Sequence, residues 1–365
     1  MREFLDECDY LIHLVRCAIH NEQPQELPET FDFERVYQFG VHHQVANIAF
    51  YSVEKLERKP QDELYAKWEA HRNRAVILHV NQSYAAQEVR NDFQAAGLRF
   101  LEVQGTKIKP LYPQPEYRTM SDIDFIVALE DLTKAGQVLQ QLGYQCEQLA
   151  DVEINAFRKP NIHIELHTEY FPEDCAYRSV MASPFEAERH DINELYIYNM
   201  LHIAKHYFWK GCGIRRVLDA YFLNLHYGNL LDRKYVKSVF KAAGVRDFTA
   251  ELSVLADRWF GEVQCAPQRS EMAVYILNSG LHGTARNRLD NLLEDLRSDG
   301  TRFYKLKYFL QRIRGTKGTL HHTYPILKRH KILYPFCWLH RACRTLRPNK
   351  MKRLCKEVKT VLRNK

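Results

Sequence analysis

The chain has 365 residues, 45% apolar and 12% aromatic, with modest Gly and Pro; this excludes a disordered or low-complexity polypeptide and calls for about two or three substructures with real cores. No apolar run reaches the roughly 18 residues a membrane helix needs, and the opening MREFLDECDYLIHLVR mixes charge with Leu and Ile, so a cytoplasmic location is expected. Nine Cys residues, none in a CxxC pair, indicate neither a zinc finger nor a disulfide framework, and the net charge of +7 is unevenly held: Thr301 to Lys365 carries nineteen Lys or Arg against Glu357 alone, a local +18, while the remaining 300 residues sum to −11.

Residues 1–97 read as an N-terminal helical region. Apolar positions recur at three- and four-residue spacing in FLDECDYLIHLVRCAI and again in VNQSYAAQEVRNDFQAAG, which stops on Gly97. LRFLEVQ follows as a strand, broken by Gly105; KIKPLY is a short helical piece, and Pro113 and Pro115 impose an irregular loop. SDIDFIVAL is the next strand. DLTKAGQVLQQLG is an amphipathic helix, with Asp131 or Thr133 as its cap and Gly143 as its stop. YQCEQL, EINAFR and NIHIELH are short alternating segments, the last two joined across Lys159 and Pro160 as a hairpin. Residues 98–170 therefore form a small mixed α/β core. Helices resume in NELYIYNMLHIAKHYFW, turn at Gly211 to Gly213, and continue in IRRVLDAYFLNLHYG, giving a C-terminal helical domain over 171–300 and a basic helical tail over 301–365. The expected fold class is α+β, a small mixed sheet flanked by helical regions.

The chemistry is concentrated in two strands. Residues two apart on a strand share a side, so Asp122 and Asp124 of SDIDFIV project together while Ile123 and Phe125 face the core. Glu165 in IHIELH has the same setting, and a neighbouring strand position brings it to the pair. Three carboxylates can share hard cations, which prefer oxygen ligands and suit the dense negative charge of a nucleoside triphosphate. Gly105 and Thr106 stand where a backbone can approach phosphate closely at a helix start. Lys107 and Arg118 are nearby cations, although each would by default be a solvated surface charge.

The ordered set VQGTKIKPLYP, YRTMSDIDFIV, a helix with LGY, and IELH resembles the polymerase-beta-type nucleotidyltransferase superfamily. Within it, the set is similar to an uncharacterised bacterial family with a KG, YP, R, DID, LH pattern. The resemblance covers roughly residues 95–170, and HIAKH and RRVLD in the helical flanks also fit. It implies a Gly-Ser-type motif at Gly105 and Thr106, metal carboxylates at Asp122 and Asp124 with a third at Glu165, and a Mg2+ or Mn2+ cofactor. Glu165 completes the catalytic set. The implied partners are a nucleoside triphosphate and a hydroxyl-bearing acceptor. Gln104 stands where the family often carries Lys, which removes one cation near the phosphates, and Thr106 replaces the common Ser.

His163, Glu165 and His167 share one strand face, and His202 and His206 one helix face, but HIAKH lacks the Glu of the HExxH zinc signature. Contact with the acceptor is the role expected of His167 and Lys205. Asp219, four residues after Arg215, reads as a helix-surface pair. In the tail, CWLHRACRTLR sets Trp338, Leu339, Ala342 and Leu346 opposite Arg341, Arg344 and Arg347. That pattern suits a helix lying on an anionic membrane, or RNA contact, or a terminal helix with a solvated basic face. Two other readings of the whole chain therefore stand beside the metal-dependent transferase. One is a non-catalytic module docking through its tail on membrane or RNA; the other is an RNA nucleotidyltransferase, which requires strongly salt-dependent RNA binding.

Overall fold

The computed structural model describes residues 5–148, 152–173, 175–181, 183–185, 191–263, 269–280 and 330–345, with 283, 287, 291, 320 and 324–328 besides. The chain divides into two compact units, Met1–Thr284 and Ala285–Lys365.

Four helices open the first unit: α1 (Glu7–His20), α2 (Phe33–His42), α3 (Ala46–Val53) and α4 (Asp62–Ala95). The side chains of Asp6 and Asp32 start α1 and α2 by accepting hydrogen bonds from backbone N–H groups that the helix itself leaves unpaired. The apolar stripe of α1, including Tyr10, Leu11, Leu14 and Val15, is buried with Ile48, Ala49 and Phe50 of α3. The 34-residue α4 is about 50 Å long and serves two cores. In its first half, Trp68 sits in the helical core and donates its indole N–H to the Ala46 carbonyl at 2.8 Å. In its second half, Ala85, Ala86, Val89 and Phe93 pack on the sheet.

The sheet has five strands in the order β1-β2-β5-β4-β3. They are β1 (Phe100–Glu102), β2 (Ile123–Val127), β3 (Gln145–Gln148), β4 (Glu153–Arg158) and β5 (Ile162–His167), with the one-turn α5 (Gly105–Ile108) after β1 and α6 (Leu132–Gln141) after β2. β2 and β5 run parallel; the other neighbours are antiparallel. α4 and α6 cover one face, where Ile123, Phe125 and Val127 meet Ile162, Ile164 and Leu166 in a continuous apolar layer. Strand alternation then sends Asp124, His163, Glu165 and His167 to the opposite face. This is the expected α+β arrangement, a mixed sheet with flanking helices. One local expectation is corrected. Asp131 stands at the N-cap of α6, but makes no capping bond there; its carboxylate accepts the Arg99 backbone N–H at 3.0 Å, which ties the start of β1 to the end of β2.

After the sheet come α7 (Ile192–Lys210), α8 (Ile214–Tyr227), α9 (Arg233–Ala242), α10 (Arg246–Phe260) and α11 (Glu271–Ser279). Asp191 caps α7, and Gly211 ends it at φ +92°, a backbone conformation that glycine adopts without a Cβ clash. These helices bury their apolar faces in the same core as α1–α3. Polar ties reinforce the join: Arg16 donates to the Gly261 carbonyl at 3.0 Å, and the His20 ring meets the Phe260 carbonyl at 2.6 Å.

In the second unit, α12 (Tyr334–Thr345) exposes Phe336 and Leu339. The Tyr324 hydroxyl lies 2.8 Å from His340 Nδ1. Most of the basic tail, Leu346 and Arg347 included, falls outside the described residues, and of Ala342 and Arg344 only the helical backbone is described. Among the described residues no helix is long and apolar enough to cross a membrane.

Candidate active site

The parallel pairing of β2 and β5 places Asp124 directly opposite Glu165 and Ile126 opposite His167. One carboxylate from each strand thus meets at the centre of the polar face, and Asp122 joins them from the residue before β2. Asp124 is buried, while Asp122 and Glu165 are half-buried. His167 Nε2 lies 3.4 Å from Asp124 Oδ1 and 3.4 Å from Glu165 Oε2, and His163 Nε2 lies 3.6 Å from Glu165 Oε1. His163 is also held by Asn155 Oδ1 at 2.8 Å and stacks on Phe157. Two overlapping groups, Asp122–His163–Glu165 and Asp124–Glu165–His167, bring their candidate ligand atoms within 4.8 Å of one another.

The electrostatics show what this geometry costs. Burial, followed by the charges of Asp124 and Glu165, pushes the Asp122 carboxyl up to about 7. His167 is raised as well, for a different reason: burial disfavours the charged ring, but hydrogen bonding to Asp124 and Glu165 outweighs it and raises the ring to about 10. Glu165 is held below the usual carboxylate range chiefly by the hydrogen bond from His167, against the effect of burial, with His163 and Lys205 adding to it. Lys205, half-buried on α7, is therefore near enough to act on Glu165. Crowded carboxylates that repel one another are an oxygen donor set that fits a divalent cation, which would take over the neutralising role the His167 ring cation holds between Asp124 and Glu165. The His202–His206 pair, whose Nε2 atoms lie 3.3 Å apart, stands outside both groups.

The Gly105 segment follows β1 directly. Gln104 takes a left-handed conformation, φ +52°, and starts α5, a single turn with only a weak dipole. A Cβ on Gly105 would fall 2.3 Å from Met120 Sδ and 2.9 Å from Arg118 Nη1, so a larger residue there would displace these two side chains. Thr106 donates its hydroxyl to the Val103 carbonyl at 3.0 Å, and Lys107 is exposed.

Arg118 is not a surface cation. It is 3% exposed, and its guanidinium grips Asp219 two-pronged, Nε to Oδ1 at 2.8 Å and Nη2 to Oδ2 at 3.1 Å. The Tyr112 hydroxyl donates to the same Oδ1 at 2.7 Å. This also corrects the reading of Asp219 as a helix-surface partner of Arg215. Asp219 is fully buried, and Arg215 donates instead to Gln44 Oε1 at 2.7 Å and to the Thr119 carbonyl at 2.9 Å. The sequence offered Arg215 and Arg216 at four- and three-residue spacing from Asp219. Only folding brought in Arg118, 101 residues away, so the pairing had no local signal. Tyr198 likewise had no local signal: it is buried on α7, where burial and the charge of Asp124 push its hydroxyl well up.

No curated protein and no solved structure matches this sequence. Residues 29–261, which contain the whole sheet, the carboxylates and helices α7 to α10, match the pattern of uncharacterised nucleotidyltransferases; with most of its length so matched, the chain belongs to that family and is an enzyme that transfers a phosphorus-containing group.

Proposed function

We propose that this enzyme transfers a nucleoside monophosphate from a metal-bound nucleoside triphosphate to a hydroxyl acceptor, releasing pyrophosphate. The observation that supports this most directly is the β2–β5 register, which sets Asp124 against Glu165 beside Asp122. In this reading Asp122, Asp124 and Glu165 hold Mg2+ or Mn2+, which when bound neutralises the phosphates and favours ionisation of the acceptor hydroxyl. Glu165 accepts the acceptor's proton. The acceptor oxygen bonds to the α-phosphorus as the bond to the bridging oxygen breaks, and the electron pair leaves with pyrophosphate. His167 orients the Asp124 and Glu165 carboxylates, and Lys205 stands on the acceptor side of Glu165. A small molecule or sugar, as in surface polysaccharide metabolism, is the acceptor class we assign by family analogy.

The test is a thermal-shift panel of the four ribonucleoside triphosphates with and without Mg2+. Saturating ligand at about 100 times its dissociation constant adds roughly 2.7 kcal/mol, a shift of several degrees. The expected result is a Mg2+-dependent shift with at least one nucleotide, lost in Asp124→Ala while the nucleotide-free Tm is retained. Nucleotide transfer surviving in Asp124→Ala would remove the assignment.

A further inference from the structure

We propose that Arg216 grips the phosphates of the nucleotide donor, with Arg118 and Arg215 behind it forming a buried basic half of the active site. The proposal rests on the transferase reading above and adds to it the residue that takes the place of the lysine missing at position 104.

Three guanidinium groups form a local surplus of positive charge over the carboxylate they contact. Arg118, Arg215 and Arg216 gather around one carboxylate, Asp219, which is spent on Arg118 and the Tyr112 hydroxyl. Arg216 Nη1 is 3.7 Å from Asp219 Oδ2, too far for a hydrogen bond. Arg215, 5% exposed, reaches only neutral oxygens: Gln44 Oε1, the Thr119 carbonyl, and the Thr119 hydroxyl at 3.3 Å. Burial, with the charges of Arg118 and Arg216, pulls Arg215 down to about 9. Among the described residues Asp219 is therefore the one carboxylate within ion-pairing distance of these guanidinium groups, while Asp122 acts on Arg215 and Arg216 from further away. The Nε atoms of both Arg215 and Arg216 are buried without a hydrogen-bond partner. Unmet charged donors at such depth are costly unless a ligand satisfies them.

The backbone adds to the surplus. Arg215 and Arg216 are the second and third residues of α8, at the positive end of its dipole, and no acidic residue occupies that turn. Cations there oppose the helix dipole, whereas an anion is welcome.

Position links this cluster to the carboxylates. Arg118 Nη1 abuts Gly105, and the charges of Arg216 and Arg215 act on Asp122. Among the three, Arg216 keeps the most exposure, 13% of its side chain against 3% for Arg118. It can therefore meet a ligand without breaking an existing two-pronged pair. An acidic half that holds a cation beside a basic half that holds phosphate is the charge pattern a metal–triphosphate complex presents, and the forked guanidinium suits phosphate oxygens better than an ammonium does.

The experiment uses the full chain and isothermal titration with each Mg2+–ribonucleoside triphosphate and with inorganic tripolyphosphate plus Mg2+. Arg216→Ala should weaken both kinds of ligand tenfold or more, with Arg216→Lys in between and Mn2+ binding in the absence of phosphate unchanged. Lys237→Ala, a surface change on α9, should leave every affinity as it was. Should Arg216→Ala not fold, Arg216→Gln keeps a polar side chain with one amide donor group on a shorter stem and carries the same expectation. Wild-type affinity in the folded Ala or Gln variant, with binding lost in Asp124→Ala, overturns the role of Arg216 and leaves the transferase reading standing. No binding of any triphosphate by the wild type overturns both.

Discussion

Asp122 makes the site sensitive to pH in a direction that can be derived. Its ordinary value is 3.8 and the fold raises it to about 7, so the folded state prefers the protonated acid. In the metal-free protein this group therefore costs stability progressively as pH rises from about 4 to about 7. His167 is shifted in the same direction, but there the shift favours the charged ring. Its raised value contributes stability that is complete below about 6.5 and lost as pH climbs towards 10. In its proposed role as a metal ligand Asp122 would hold a divalent cation in competition with its proton, so stabilisation by Mg2+ should grow between pH 5 and roughly 7. Asp122→Asn should flatten the metal-free Tm profile over that window and abolish its Mg2+ response; a Mg2+ shift that does not vary with pH in the wild type would refute this account.

At the scale of elements, strand alternation made the site partly readable in advance. The DID and IELH segments put acids on one face and Ile123, Phe125, Ile164 and Leu166 on the other, because a strand has period two and one face must be dry. The same local logic failed for Arg118 and Asp219, whose bond links the loop before β2 to α8 over 101 residues. Spacing along one helix cannot reveal a partner from another element. The pair is buried on both sides, so removing one member strands the other. Asp219→Ala should cost about 3–5 kcal/mol, and Asp219→Asn less, because the amide oxygen can still accept from Arg118. Chemical denaturation checks this, and a loss below about 1 kcal/mol, as for an exposed pair, would mean the tie is not structural.

For the whole molecule, the sheet, the carboxylates and the arginine cluster all lie within Met1–Thr284. A chain ending at Thr284 should therefore fold and keep the proposed Mg2+-dependent nucleotide shift, while losing all nineteen Lys and Arg of Thr301 to Lys365. Retained folding with the nucleotide shift abolished would assign the basic segment a part in donor binding. Sequence alone determined the helix–sheet–helix succession and the acidic strand face, since periodicity, caps and glycine stops are written within a few residues of where they act. Tertiary structure decided the rest: the parallel register that sets Asp124 against Glu165, the shared core of the first and last helices, and the burial of Arg118, Arg215 and Asp219. These depend on contacts between residues far apart in the chain, and burial, which turns an ordinary surface charge into a constrained and reactive one, is a property of no residue by itself.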